Sequence, residues 1–297
     1  MFELVQISEH DYYIESPAKI GLVRQGEHDV CLIDSGNDKD AGRKVRQILD
    51  SHGWTLKAIY NTHSNADHIG GNKYLQAQTG CKVFAPGIER DFTVHPVLEP
   101  SFLYGGFPCR ELRRKFLMAQ ESAAEELTQA VLPEGWEMIP LPGHFFDMVG
   151  FRTADGTVFL ADCLSSREIL DKYGIGYVYD VKAYLETLEM VKTLRASAFV
   201  PAHAPATDDI APLAQANIDK VNEIAEKILA ICEQPHCFEN ILQKLFCEYG
   251  LTMTAEQYVL VGSSARNYLA WLKDEGKLAF RFENNMMLWH RKSSSDE

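Results

Sequence analysis

Ten consecutive residues constrain this chain more than any others: Thr62-His63-Ser64-Asn65-Ala66-Asp67-His68-Ile69-Gly70-Gly71. The preceding Lys57-Ala-Ile-Tyr60 reads as a strand, so the segment is a loop at a strand's carboxyl end, where layered α/β folds build their sites. Two histidines, an aspartate and an asparagine fall between positions 63 and 68. Alternate positions in a tight loop point at one centre, as a metal site requires, and imidazole with carboxylate suits zinc or iron. Gly70-Gly71 lets the following helix start close to that centre.

The surrounding pattern is α/β. Ile20–Val23 and Val30–Ile33 read as strands, with Asp34-Ser-Gly36 as the turn that ends the second. Ala41, Val45, Ile48 and Leu49 recur at helical spacing, which predicts a helix over 39–52 with one buried face. Residues 88–135 look like an insertion that caps the site: 98–108 as loop, then a helical stretch from about 110 to 130. Strands resume at 138–141, 149–151, 158–161 and 199–200, around a helix that Asp180 would cap. From about Ile218 the pattern turns helical, with a second helix at 241–246 and a third opened by a capping box at Thr254–Gln257. A hairpin follows over 278–290, turning at Glu283–Asn285, and a polar tail closes the chain at Ser293–Glu297. Three helices and a hairpin suggest a winged-helix-like unit, so the division expected is 1–212 and 213–297.

Charge and cysteine usage narrow the function classes. The net charge is −13, and residues 218–297 carry six Lys and three Arg against twelve Asp and Glu. Nucleic-acid binding rests on basic side chains meeting phosphates, so a nucleic-acid partner is not expected. The tail is expected to cover the catalytic part or to form a homodimer contact. Seven dispersed cysteines, none in a C-x-x-C pair, predict reduced thiols in the cytoplasm. The N-terminal stretch has neither a basic start nor an apolar run, and no run of about 18 apolar residues exists, so neither a secretory signal nor a membrane span is expected.

The ten-residue segment resembles the Thr-His-x-His-x-Asp-His-x-Gly-Gly pattern of the metallo-β-lactamase superfamily, broken only at Asn65. Leu141-Pro-Gly-His144, Leu160-Ala-Asp162, Pro201-Ala-His203 and Asp34-Ser-Gly36 resemble the other family motifs and appear in the family's order. The resemblance covers roughly residues 1–210 and implies an αββα sandwich with the winged-helix-like domain behind it. It also implies two metal positions. His63, Asn65, His144 and Asp162 would surround the first; Asp67, His68, His203 and the bridging Asp162 would surround the second. A neutral amide is a weaker ligand than imidazole. Two readings of Asn65 stay open: a weaker first ion beside a normal second one, or a single or changed metal.

The implied chemistry is hydrolysis of a small ester, thioester or lactone. One or two zinc ions, or else iron or manganese, would lower the pKa of water from about 16 to near 7, with Asp67 orienting that water or moving its proton. An alternative from a different class is a persulfide-dioxygenase-like iron enzyme using His63, His144 and Asp162 as a 2-His-1-carboxylate set. A nuclease is the third candidate, disfavoured by the acidic tail. Cys163 is expected to be a small buried residue, and Arg113-Arg114-Lys115 a solvated face or an anion-steering lip. Tyr104, Tyr173, Tyr177 and Tyr179 are each expected to be packing aromatics, with the alternative that one of them lines the pocket. His10, His28, His52, His95, His236 and His290 are expected to be ordinary packed or solvated residues.

Overall fold

The computed structural model describes residues 2–292, so the polar tail Ser293–Glu297 lies outside it. Two sheets face each other. The first runs in the order β1 (Glu3–Gln6), β2 (Asp11–Glu15), β3 (Ile20–Arg24), β4 (Asp29–Ile33), β5 (Thr55–Tyr60), β6 (Lys82–Ala85) and β7 (Glu125–Glu126). It is antiparallel from β1 to β4 and parallel from β4 to β7. The second is β11 (Ala198–His203), β10 (Thr157–Ser165), β9 (Val149–Arg152) and β8 (Glu137–Pro140), parallel only between β10 and β11.

Strand alternation explains the layers. Along β4, Val30 and Leu32 pack outward with Val45 and Leu49 of α1 (Lys39–His52) and Leu75 of α3 (Asn72–Thr79). Cys31 and Ile33 point inward and meet Val149, Phe151, Phe159 and Val200 of the second sheet. Val158 and Leu160 of β10 face the other way, onto α7 (Val181–Val191) and α8 (Ala211–Ile231). This period-2 division builds helix, sheet, sheet and helix in turn. α1 starts where Asp38 accepts from the Asp40 and Ala41 amides and stops at left-handed Gly53. Asp180 caps α7 by accepting from the Ala183 amide, as the sequence predicts.

The C-terminal part contains α8, α9 (Phe238–Glu248), α10 (Ala255–Asp274) and the hairpin β12 (Leu278–Glu283) and β13 (Met286–Arg291). Asn284 and Asn285 turn that hairpin at φ 49° and 61°, a conformation asparagine tolerates. α8 and α10 bury Val221, Ile224, Val261 and Tyr268 in the same cluster as Leu160 and Leu188, so the C-terminal helices share one core with the outer face of the second sheet. No helix among the described residues is long and apolar enough to cross a membrane.

The insertion differs from expectation. Residues 98–108 are not all loop, since Leu98–Tyr104 forms α5 after α4 (Gly87–Val94). Pro100 sits in the first turn of α5, where its missing N–H costs nothing, and left-handed Gly105 ends it. The helix expected from about 110 to 130 is absent. Only single 3-10 turns at Arg110–Leu112 and Gln129–Val131 and the short β7 form there. Leu112 and Leu117 pack on Val259 of α10, and Leu127 packs in the core between the two sheets. No continuous helical stripe could deliver them to both places, so tertiary packing overrides local propensity.

Candidate metal centre

The motif loop leaves β5 and enters α2 (Ala66–Ile69), a single turn that leads through Gly70-Gly71 into α3. A side chain at Gly70 would run into the Asn37 backbone, and one at Gly71 into the Ser35 carbonyl. Both glycines therefore let the loop lie against the turn after β4. That turn holds Asp34 at φ 63°, and Ala161, just before Asp162, stands at φ 48°. Left-handed non-glycine residues carry strain of roughly 1–3 kcal/mol, and here they aim two of the carboxylates of the site.

All the residues expected from the sequence converge. One donor atom from each of Asp67, His68, Asp162 and His203 lies within 4.8 Å of the others, and so do donors from His63, His144 and Asp162. Asp162 stands between the two groups. Its Oδ1 is 2.9 Å from His68 Nε2, while its Oδ2 is 3.1 Å from His203 Nε2 and 3.7 Å from His144 Nε2. Asp67 Oδ2 is 3.4 Å from His203 Nε2. Asn65 joins the first group, its Oδ1 3.2 Å from His144 Nε2.

Every ring is held by its other nitrogen. His68 Nδ1 donates to Asp34 Oδ2 at 2.7 Å, His144 Nδ1 to the Tyr177 carbonyl at 3.2 Å and His203 Nδ1 to the Pro17 carbonyl at 3.0 Å. These acceptors cannot donate, which fixes the tautomer. His63 Nδ1 meets Thr62 Oγ1 at 2.9 Å, and that hydroxyl donates onward to Asp34 Oδ2 at 2.7 Å. Four Nε2 atoms are thus turned inward. Those of His63 and His68, with Asp162 Oδ1, are buried without a hydrogen-bond partner. The His68 Nε2 to Asp162 Oδ1 approach is close but lacks hydrogen-bond geometry, as expected when both atoms are directed at a common third point. Such orphaned atoms are costly unless a cation fills the space, so the donor set fits a metal.

The two groups differ electrostatically. Burial alone would lower His68, but Asp162, Asp67 and Asp34 push it well above the usual imidazole value. Burial likewise opposes charge on His203, yet Asp162 and Asp67 raise it to about 10. Although desolvation opposes its charge, Asp67 is held at about 2 by His68 and His203. His63 and His144 move the other way, below the usual value, mainly through burial. The Asp67 side therefore gathers positive charge between two carboxylates, whereas the His63 side offers neutral rings and a share of one carboxylate.

Several contributors carry no motif. Glu99 of α5 accepts from Asn65 Nδ2 at 2.8 Å, and burial pushes its carboxyl well above the usual range. Glu89 of α4 accepts from Ser64 N, Ser64 Oγ and Asp147 N, and burial raises it to about 7. The only sequence signal was an acid on the apolar face of a short helix: Glu89 beside Phe92, Glu99 beside Leu103. A cavity of about 550 Å³ opens from Asp67, His144, Asp162 and His203, with Tyr173, Tyr177, Tyr184 and Tyr268 in its walls. Tyr104 is half exposed and absent from that lining, while Tyr179 packs on Phe146 and Phe102. Cys163 is fully buried, as expected. Lys115 lines the cavity, whereas Arg113 lies over the Phe107 ring.

The family model described as the metallo-beta-lactamase superfamily matches residues 14–203, well over half of the chain. The chain belongs to this superfamily. A Methylobacillus flagellatus hydroxyacylglutathione hydrolase is 37% identical over 166 residues, covering 55% of this chain and 52% of the relative. One from Rhodospirillum rubrum is 34% identical over 89 residues, covering 27% and 34%. The chain thus spans about half the length, or less, of these hydrolases. A Drosophila melanogaster beta-lactamase-like protein 2 homolog is 23% identical over 266 residues, covering 83% and 79%. Among solved structures, a Burkholderia ambifaria beta-lactamase domain protein superposes with a TM-score of 0.76 at 17% identity, covering 98% of this chain and 94% of that one. A metallo-beta-lactamase family protein from Thermus thermophilus gives 0.71, also at 17% identity, with 98% of each chain covered. At that identity the superfamily likeness is one of fold, and it extends through the C-terminal helices.

Proposed function

We infer that this chain is a metal-dependent hydrolase of small organic esters or thioesters. The observation that carries this reading is the set of four imidazoles, each anchored at Nδ1 and turned by Nε2 toward Asp162. Asp67, His68, His203 and Asp162 would hold one ion; His63, His144, Asp162 and the Asn65 amide oxygen would hold a second, weaker one. Imidazole with carboxylate suits zinc, with iron or manganese as alternatives. Held there, a divalent ion would supply Lewis-acid chemistry, lowering the pKa of water and polarising an acyl carbonyl.

The chain's own residues do the rest. Asp34 and the Pro17 and Tyr177 carbonyls keep the rings in register, so no reorientation is needed when substrate arrives. Asp67 is ionised at neutral pH, and its side chain, 41% exposed, is placed to orient water in the cavity. Hydroxyacylglutathione hydrolases among the relatives favour a thioester over other acyl compounds.

The division into 1–212 and a winged-helix-like 213–297 is part of the proposal, with the C-terminal part walling the site. Seven free thiols suit a reducing compartment such as the cytoplasm. The test is release of thiol from S-acylglutathione thioesters, hydroxyacyl forms included, by zinc-loaded protein. Asp67→Asn should lower kcat by about 100-fold or more. Absence of hydrolysis of every thioester and ester tried overturns the reading.

A second reading has one observation in its favour. His63, His144 and Asp162 form a 2-His-1-carboxylate group within 4.8 Å, the set used by non-haem iron oxygenases. Oxygen uptake with glutathione persulfide by iron-loaded protein would support it; zinc as purified, with no uptake, removes it.

A further inference from the structure

The cavity has two ends of opposite chemistry. Toward solvent lie exposed Lys172 and exposed Lys115, the latter bound to Asp38. Among the described residues no carboxylate pairs with Lys172, whose ammonium lies over the Tyr173 ring. The wall formed by α8 and α10 is mainly apolar, with Val221, Ile224, Leu260, Val261 and Tyr268, all but Leu260 buried; its polar members are Gln257, Lys220, held to Glu223 at 2.7 Å, and Asn217, held to the Ser165 backbone. The carbonyl to be attacked must sit at Asp67 and Asp162, between these ends. One arm of the substrate then runs inward along apolar side chains and the other outward past lysines. Burying apolar surface is favourable inward, and anionic groups are best placed outward, on a chain whose overall charge is −13.

We propose that the C-terminal helices α8 and α10 form an acyl-chain pocket, and that the substrate is an acyl ester or thioester with a medium-length apolar acyl group and an anionic leaving group. This deepens the hydrolase reading and rests on it for the reaction, but not for the binding. The cavity, about 550 Å³, is of the size that encloses a small amphiphile. Leu260 is the partly buried position where bulk can be added or removed with least disturbance to the shared core.

The experiment has two arms on the full chain. Calorimetric binding is measured for straight-chain carboxylates from acetate to decanoate and for S-alkyl glutathione thioethers, which cannot be hydrolysed. Hydrolysis is measured for the matching acyl glutathione thioesters. Affinity should rise by up to about fourfold for each added methylene until the pocket is full. Leu260→Trp should stop that rise at a shorter chain, and Leu260→Ala should extend it. Affinity independent of chain length, or a cutoff that neither substitution moves, overturns the pocket. Chain-length-dependent binding without hydrolysis of any thioester keeps the pocket and removes the hydrolase reading; hydrolysis with flat binding does the reverse.

Discussion

Asn65 Nδ2 donates to Glu99 Oε1 at 2.8 Å, and that contact turns the amide oxygen toward His144 Nε2. Without a fixed acceptor the amide is free to flip and turn its donor end toward the metal position. Glu99→Ala should therefore weaken the His63/His144 position by about tenfold while leaving the Asp67/His68/His203 position unchanged. Stepwise competition with a chromophoric chelator reads the two constants separately. Equal loss at both, or no loss, contradicts the role of Glu99.

Asn65→His replaces a neutral amide oxygen with imidazole, whose Nδ1–H can still donate to Glu99. The first position should then tighten by on the order of tenfold or more. The chelator competition would show two constants drawn together, and a variant that binds no better would mean that the protein scaffold, not the amide, limits that position.

Metal binding should expel protons. In the metal-free protein His203 titrates at about 10 and His68 well above the usual value, so both are charged near neutral pH. A ligand nitrogen must be neutral, so roughly two protons should leave per centre filled. Calorimetry in buffers of different ionisation enthalpy counts them; heat that does not depend on buffer refutes it. The sign for stability follows. Both groups have folded pKa values above the unfolded one, so their contribution is complete below about pH 6.5 and is lost as pH rises through the folded values, about 10 for His203.

Glu89 gives an opposite-type group with the same direction. Burial raises its carboxyl to about 7, above its ordinary 4.5. The folded state prefers it protonated, so its contribution is present below about pH 4.5 and falls as pH rises through about 7. Glu89→Gln cannot ionise. Urea unfolding of metal-free protein should show the substitution costing most at about pH 4.5 and up to roughly 3 kcal/mol less above about pH 7. A pH-independent cost would show that the Ser64 and Asp147 donors fully offset burial.

Much of this centre was legible because its donors sit in contiguous motifs whose spacing the chemistry dictates. His63, Asp67 and His68 fall on one loop and the single helical turn it enters, and Asp162 and His203 lie on the adjacent, parallel strands β10 and β11. The supporting groups were not legible. Pro17 and Tyr177 act through backbone carbonyls, which any residue possesses. Glu89 and Glu99 look like solvated helix acids until packing buries them. The insertion was misread for a related reason: its charged, helix-prone residues 110–130 yield to leucines that must reach α10 and the core between the sheets.

The central claim is an uneven pair of metal positions sharing Asp162. It is tested most directly by titrating metal-free protein with zinc against a chelator of known affinity. Two binding events at least tenfold apart are predicted, the tighter abolished by His203→Ala and the weaker by His144→Ala. A single event of two equally tight ions, or no tight binding at all, would contradict the account.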